Sequence, residues 1–167
     1  MTLHWLAAVL IFCGLGLGLF MTGLPFSPEK FRFYAWHKWI GITIFLVTAL
    51  RLAWRVAHPP PPLPPSIPPW QVRASRLAHG FLYALMLGIP LSGWIYSSAT
   101  GVSVVYLGLV PLPDLVGKDR ELARVLLRVH QTLNFTLATV VTVHVAAALK
   151  HHFADRDGLL ARMFPSR

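Results

Sequence analysis

Four long apolar stretches constrain this chain of 167 residues more than any other feature. They cover residues 3–24, 36–56, 77–96 and 129–149. Each is close to the about 20 apolar residues that an α-helix needs to cross a bilayer. Only 13% of residues are charged, about half the share in a typical soluble domain. Because backbone amides in lipid must be bonded within their own segment, the pattern predicts an all-α membrane protein, one four-helix transmembrane bundle over residues 1–167.

The first stretch is expected to stay in the protein rather than to be removed as a signal peptide. No basic residue precedes it, and Gly23-Leu24-Pro25-Phe26 is a poor cleavage site. An even number of spans places both termini on one side of the membrane. That side, with the middle loop, carries eight Lys and Arg against seven on the other. The bias is small, but the middle loop has four arginines and no acid between Arg51 and Arg76, so we place the termini in the cytoplasm.

The connections between the spans have their own signals. Residues 58–70 read HPPPPLPPSIPPW, which predicts a stiff polyproline II connector. Residues 101–117 are apolar but contain Pro111, Pro113 and Asp114, which favours an interfacial or re-entrant flap over a fifth span. From Asp119 the pattern DRELARVLLRVH is typical of a helix leading into the last span.

Histidines are the unusual residues inside the spans, at His4, His37, His130 and His144. The last two are fourteen residues apart, which puts them on one helix face about 21 Å apart. Antiparallel packing then brings His4 level with His144 and His37 level with His130. His151 follows His144 by seven residues on the same face, so spacing alone leaves open which of them meets His4.

Two facing imidazoles from different helices are the axial ligands of a six-coordinate haem iron. A single membrane histidine more often bonds a neighbouring helix, but four that fit two levels favour two haem sites. Cys13 is the only cysteine. An Fe–S ligand set and a covalent CxxCH haem site within the chain are therefore excluded, and non-covalent b-type haems are expected.

Several further residues are candidates for cofactor binding. His79 has no partner in this pairing scheme, and we expect a propionate or quinone partner there, or simply an interfacial histidine. Haem propionates would pair with arginines such as Arg51 and Arg76, with Arg55 and Arg128 as further choices. The net charge of +9 is explained by lipid headgroups, because the chain has no nucleic-acid-binding motif. Glycines 14 and 18 form a GxxxG pattern, which favours close helix packing.

The segments LHWLAAVLIF, FYAWHKWIGI, LRVHQTLNF and VHVAAALKHHF surround the four histidines. They occur in the same order as in the bacterial di-haem cytochrome b561 proteins, as do the proline-rich loop and LAHGFLYALMLGIPLSGW. The chain resembles that family over essentially its whole length. The resemblance implies that His4 and His144 are the ligands of a cytoplasmic-side haem, so it selects His144 over His151. It also implies that His37 and His130 are the ligands of an outer-side haem. It also implies cytoplasmic termini.

The resemblance further implies an inner-membrane oxidoreductase that passes electrons from an outer-side donor, such as superoxide or a redox protein, to ubiquinone. Two alternatives stay open. One is a cytochrome b relay subunit of a dehydrogenase or hydrogenase. The other is a transporter that binds zinc or copper through the same histidines, although the four apolar stretches contain no Asp or Glu.

Overall fold

The computed structural model describes residues 1–59, 64 and 67–164. Its four long helices are α1 (Thr2–Thr22), α2 (Pro28–Ala57), α3 (Pro69–Thr100) and α4 (Arg120–Lys150). All four are long and apolar enough to cross a membrane, which confirms the predicted all-α bundle. Six of the thirteen residues of the predicted polyproline connector, 60–63, 65 and 66, lie outside the described residues, and its last two residues form the start of α3.

Short polar and glycine signals set the helix ends. The Ser27 hydroxyl accepts a hydrogen bond from the Lys30 N–H at 3.3 Å, and Pro28 opens α2. Asp119 caps α4 by accepting from the backbone N–H groups of Glu121 and Leu122. Gly101 ends α3 in the left-handed conformation, with φ of 78°. These caps satisfy backbone groups that the helices leave unpaired at their ends.

The core of the bundle is built around α3. This helix contributes ten buried residues, whereas α4 contributes two. A central cluster contains Leu82, Leu85, Met86 and Ile89 from α3, packed on side chains from each of the other helices. Large apolar side chains elsewhere are exposed, as expected for helices whose outer faces contact lipid.

The helices are not evenly spaced. Among the described residues, α1 packs on α2, α2 on α3 and α3 on α4, while α4 makes few close backbone approaches to α1 or α2. A wider gap therefore separates α4 from α1 and α2, and only side chains reach across it.

The flap predicted after α3 contains a small β-hairpin, which the sequence pattern did not predict. Strand β1 (Val105–Tyr106) pairs antiparallel with β2 (Val110–Pro111). The Trp39 indole N–H donates to the Val105 carbonyl at 2.7 Å, and the hydroxyls of Thr43 and Tyr106 lie 3.0 Å apart. The hairpin therefore packs against the side of α2. We call this end of the bundle the hairpin end, and the opposite end, with both chain termini, the terminal end.

Candidate haem-binding site

The first histidine pair lies toward the hairpin end. His37 on α2 and His130 on α4 have ring centroids 6.2 Å apart, with their planes at 84°. Both side chains are half-buried. A small cavity of about 40 Å³ lies between them, lined among others by Gly14, Gly41 and Leu137. We call His37 and His130 the hairpin pair.

The second pair lies toward the terminal end. His4 on α1 and His144 on α4 have ring centroids 6.4 Å apart, with their planes at 71°. We call them the terminal pair. The structure thus brings together all four histidines in two pairs, His37 with His130 as depth and helical phase predicted, and His4 with His144 as the family resemblance selected over His151. Each pair spans the gap beside α4.

The spacing within both pairs fits a metal held between two rings. An imidazole nitrogen bonds a first-row metal ion at about 2.0 Å, so two imidazoles on opposite sides of one ion have ring centroids about 6 Å apart. In both pairs the rings come from helices that are well separated, whereas rings in closely packed helices would leave no room for a flat macrocycle. This donor set suits a bis-histidine haem.

Glycines beside the hairpin pair support the same fit. A Cβ atom added to Gly93 would lie 2.9 Å from Cε1 of His130, and one added to Gly18 would lie 3.1 Å from Cε1 of His37. The absence of side chains at these two positions therefore makes room for the rings. At Gly41, half-buried beside the cavity, an added Cβ would meet no atom within 4 Å. That open space would accommodate part of a macrocycle.

Hydrogen bonding differs among the four rings. Nδ1 of His130 lies 2.9 Å from the Ser92 hydroxyl and 3.1 Å from the Ile89 carbonyl. Nδ1 of His4 and Nδ1 of His37 are buried without a hydrogen-bond partner in the described structure. The backbone of Gly14 lies within weak hydrogen-bonding range of His37, although the geometry is poorer than that of an ordinary hydrogen bond.

His79 joins the terminal pair, which the pairing scheme did not foresee. Its ring centroid lies 5.4 Å from that of His144, and its Nδ1 lies 3.3 Å from the Ser75 hydroxyl. His79 and His144 belong to α3 and α4, which are closely packed. Hence the wide gap lies between His4 and His144, and His79 flanks it.

Two of the arginines predicted as propionate partners lie near the terminal pair. Arg51 is half-buried, lies over the Tyr83 ring at 5.4 Å, and interacts electrostatically with His4, His79 and His144. Arg55 interacts with His79. Arg76 is exposed, and no contact joins it to these histidines in the described part of the chain. Arg55 lies one helical turn after Arg51 on α2, which keeps both arginines near the terminal pair.

The C-terminal segment closes the terminal end. Nδ1 of His151 lies 2.5 Å from a carboxylate oxygen of Asp157, so His151 has a partner of its own and does not contact His4. Although partial burial disfavours the charged form, hydrogen bonds from the Leu159 N–H and from His151 hold the pKa of Asp157 below its usual range. Farther along, the Trp5 indole N–H donates to the Met163 carbonyl at 2.9 Å.

The hairpin end carries a cationic cavity. It has a volume of about 450 Å³ and is lined by Lys118, Arg120 and Arg124 together with Ala99, Thr100 and Ala123. Arg124 also pairs with Glu121. The cations thus lie at the end of the bundle nearer to His130 than to His144.

Residues 1–166 match the family described as prokaryotic cytochrome b561. The chain belongs to the prokaryotic cytochrome b561 family. This confirms the predicted resemblance, and cytochrome b561 membership makes the chain a membrane protein that binds b-type haem and functions in electron transport. Among relatives of this cytochrome b561, cytochrome b561 homolog 2 of Escherichia coli is 33% identical, over 96% of this chain and 86% of its own. The probable superoxide oxidase CybB of Yersinia pestis is 28% identical, over 99% and 93% of the two chains.

Sequence reasoning missed the surroundings of the histidines rather than the histidines themselves. Ser92 is one serine among several near the end of α3, and nothing in its spacing distinguishes it. The acceptor from Ile89 is a backbone carbonyl, which has no sequence signal at all. The place of His79 depends on how far α3 is rotated about its axis, which apolar patterning fixes only coarsely.

Proposed function

We propose that this cytochrome b561 is a di-haem carrier that passes electrons through the inner membrane from an outer-side donor to the quinone pool. The observation that carries the proposal is the presence of two imidazole pairs, with centroids 6.2 and 6.4 Å apart, toward opposite ends of one bundle. In this proposal His37 and His130 hold the outer-side haem, and His4 and His144 hold the cytoplasmic-side haem.

A bound haem supplies reversible one-electron transfer. His37 with His130, and His4 with His144, would hold the two haems through their imidazoles, and ligation by both imidazoles of a pair would disfavour oxygen binding. Apolar packing by Ile11, Met86 and Leu137 keeps water away from the interior between the two sites. In addition, the C-terminal segment covers the end of α1 beside His4 through its bond to Trp5.

Superoxide is the donor that we favour. A relative over nearly the whole length is named a probable superoxide oxidase, and the cations around the hairpin-end cavity would attract a small anion. The overall reaction balances when two superoxide anions each lose one electron and become O₂. One ubiquinone gains both electrons and takes up two protons to give ubiquinol.

The terminal end is placed on the cytoplasmic side in this proposal. Arg51, Arg55 and the arginines of the middle loop support it through the positive-inside rule. We assign Arg51 and Arg55 to the propionates of the cytoplasmic-side haem. His79 stands beside that haem as a hydrogen-bonding group for a propionate or for quinone.

The test is a pyridine haemochrome assay of the purified protein, in which we expect b-type haem at close to two per chain. His37→Leu and His4→Leu should each lose one haem, because each leaves one iron with a single axial ligand. His152→Leu is the matched control, since His152 is exposed and its ring packs on Phe153 rather than on a histidine of either pair. No haem in the wild type, or two haems in both ligand variants, would contradict the proposal.

A second assay separates a self-sufficient carrier from a relay subunit. The purified holoprotein is given superoxide and a short-chain ubiquinone analogue, and quinol formation is measured. We expect quinol at half the amount of superoxide consumed. Haem without quinol formation would instead favour a subunit that needs a partner protein.

A further inference from the structure

The hydrogen bonds of His130 fix which of its nitrogens carries the proton. The Ser92 hydroxyl donates to the Ile89 carbonyl at 2.7 Å. The single hydrogen of the Ser92 hydroxyl is used in this bond, so the hydroxyl oxygen, 2.9 Å from Nδ1 of His130, can only accept from that nitrogen. The Ile89 carbonyl, 3.1 Å from Nδ1, can only accept. Both neighbours thus require Nδ1 of His130 to be the donor, and this leaves the lone pair of Nε2 free for a metal.

Three residues of one turn of α3 produce this arrangement. Ile89 provides a carbonyl, Ser92 provides a hydroxyl, and Gly93 lets the ring approach the helix, since a Cβ there would lie 2.9 Å from Cε1 of His130. Ser92 is 7% exposed, so water does not compete freely for its hydroxyl. We call Ile89, Ser92 and Gly93 the imidazole seat.

The other described ligand candidates have no such seat. Nδ1 of His37, directly across the hairpin pair, has no hydrogen bond of ordinary geometry and no hydroxyl partner, only the nearby Gly14 backbone. Nδ1 of His4 is buried without a hydrogen-bond partner. The two sites of the protein therefore differ in their surroundings although they share the same ligand type. Hydrogen bonds to the far nitrogen of a ligating imidazole orient the ring and raise its basicity.

We propose that Ser92 is a positioning residue for the outer-side haem. By accepting a hydrogen bond from Nδ1 of His130, it orients the His130 ring and lowers the midpoint potential of that haem. The inference rests on the proposed function, because it takes His130 as an axial ligand. An imidazole whose N–H donates to two acceptors is more electron-rich and stabilises the oxidised iron. Consequently, the seat makes the outer-side haem a better electron donor than the same ligand pair would make without it.

The experiment measures the midpoint potentials of both haems in holoprotein variants. Ser92→Ala removes one acceptor, so we expect the potential of the outer-side haem to rise while that of the cytoplasmic-side haem stays unchanged. Ser92→Thr keeps the hydroxyl and should restore the wild-type value. Ser98→Ala is the matched control, because Ser98 is a buried serine of the same helix that bonds the Trp94 carbonyl and the Leu115 N–H instead of a histidine. His37→Leu and His4→Leu assign each potential to a site.

The outcomes separate this inference from the function on which it rests. Loss of the outer-side haem from Ser92→Ala, but not from Ser92→Thr or Ser98→Ala, would also support it, since outer-shell partners contribute about 10- to 100-fold to metal affinity. An unchanged outer-side potential with both haems bound would overturn it, as would an equal shift in Ser98→Ala. A wild type without haem, or a His130→Leu variant that keeps two haems, would instead mean that the proposed function is wrong.

Discussion

Individual glycines decide whether the histidine rings fit. The Gly14-Gly18 pattern predicted close helix packing, and Gly14 does pack against Ile40, to which an added Cβ would lie 3.3 Å away. Gly18 instead faces His37, so the two glycines of one motif serve different purposes. Gly93 leaves space for the His130 ring, as Gly18 does for the His37 ring.

This difference predicts selective effects of alanine substitutions. Gly93→Ala should displace the His130 ring, because its Cβ would lie within 3.0 Å of Cε1 and both groups are held in the bundle. We expect loss of at least half of the outer-side haem, with the cytoplasmic-side haem retained, by pyridine haemochrome and redox titration. Gly88→Ala on the same helix is the control, since an added Cβ there meets nothing within 4 Å. Equal haem content in the two variants would show that Gly93 has no such role.

The histidine pairs could be predicted from sequence, while their supporting residues could not. Fourteen residues between His130 and His144 fix both depth and helical phase, because the rise and turn of a helix are constant. The acceptors of His130 depend on the rotation of α3 and on a backbone carbonyl. Similarly, which arginine lies near His79 depends on the exact path of the chain into and out of the middle loop.

The sequence predicted the flap after α3 but not the β-hairpin that it contains. Interrupting prolines and the acid Asp114 favoured a flap over a fifth span, but strand pairing over two residues on each side leaves almost no pattern. Its tip is apolar, with Leu109 81% exposed. Because the Tyr106 hydroxyl contacts Thr43, well inside α2, the hairpin lies along the flank of an apolar helix rather than beyond its end.

We therefore expect the tip of the hairpin to contact lipid. A spin label at Leu109→Cys, in Cys13→Ser protein, should be more accessible to oxygen than to a water-soluble nickel chelate. A label at Gly117→Cys, in the same connection but next to Lys118 and Asp119, should show the opposite preference. Equal accessibility of the Leu109 label to the chelate would place the hairpin in water and contradict the expectation.

The C-terminal segment is held against the end of α4 by the bond between Asp157 and His151, and this attachment can be tested. Since the pKa of Asp157 is lowered in the folded protein, its contribution is present above about pH 4, the usual carboxylate pKa, and is lost as acid protonates the carboxylate. Asp157→Asn should remove it at neutral pH. A hydrogen bond of about 1 kcal/mol predicts about fivefold faster trypsin cleavage after Arg156. Asp114→Asn at the hairpin end is the control, and equal rates in both variants would contradict the assignment.

On the scale of the whole molecule, the two ends of the bundle differ in ways that suit one direction of electron flow. The hairpin end has the cationic cavity and His130, whose ring is hydrogen-bonded to Ser92. The terminal end has Arg51, Arg55 and His79 around a pair that the C-terminal segment covers. In the proposed function, the cations at one end would attract a small anion, and the polar groups at the other end would bind quinone or the propionates.

This asymmetry predicts how salt affects the rate of haem reduction by superoxide. Replacing Lys118, Arg120 and Arg124 with glutamine should lower the bimolecular rate several-fold at low ionic strength, because attraction of an anion by exposed charges acts over a Debye length of about 10 Å at 0.1 M salt. The same variant should lose most of its salt dependence. Replacing Arg73 and Arg76 at the terminal end is the control and should change neither quantity. A rate and a salt dependence that match the wild type in the first variant would mean that the cavity does not attract the donor, even if both haems still carry electrons.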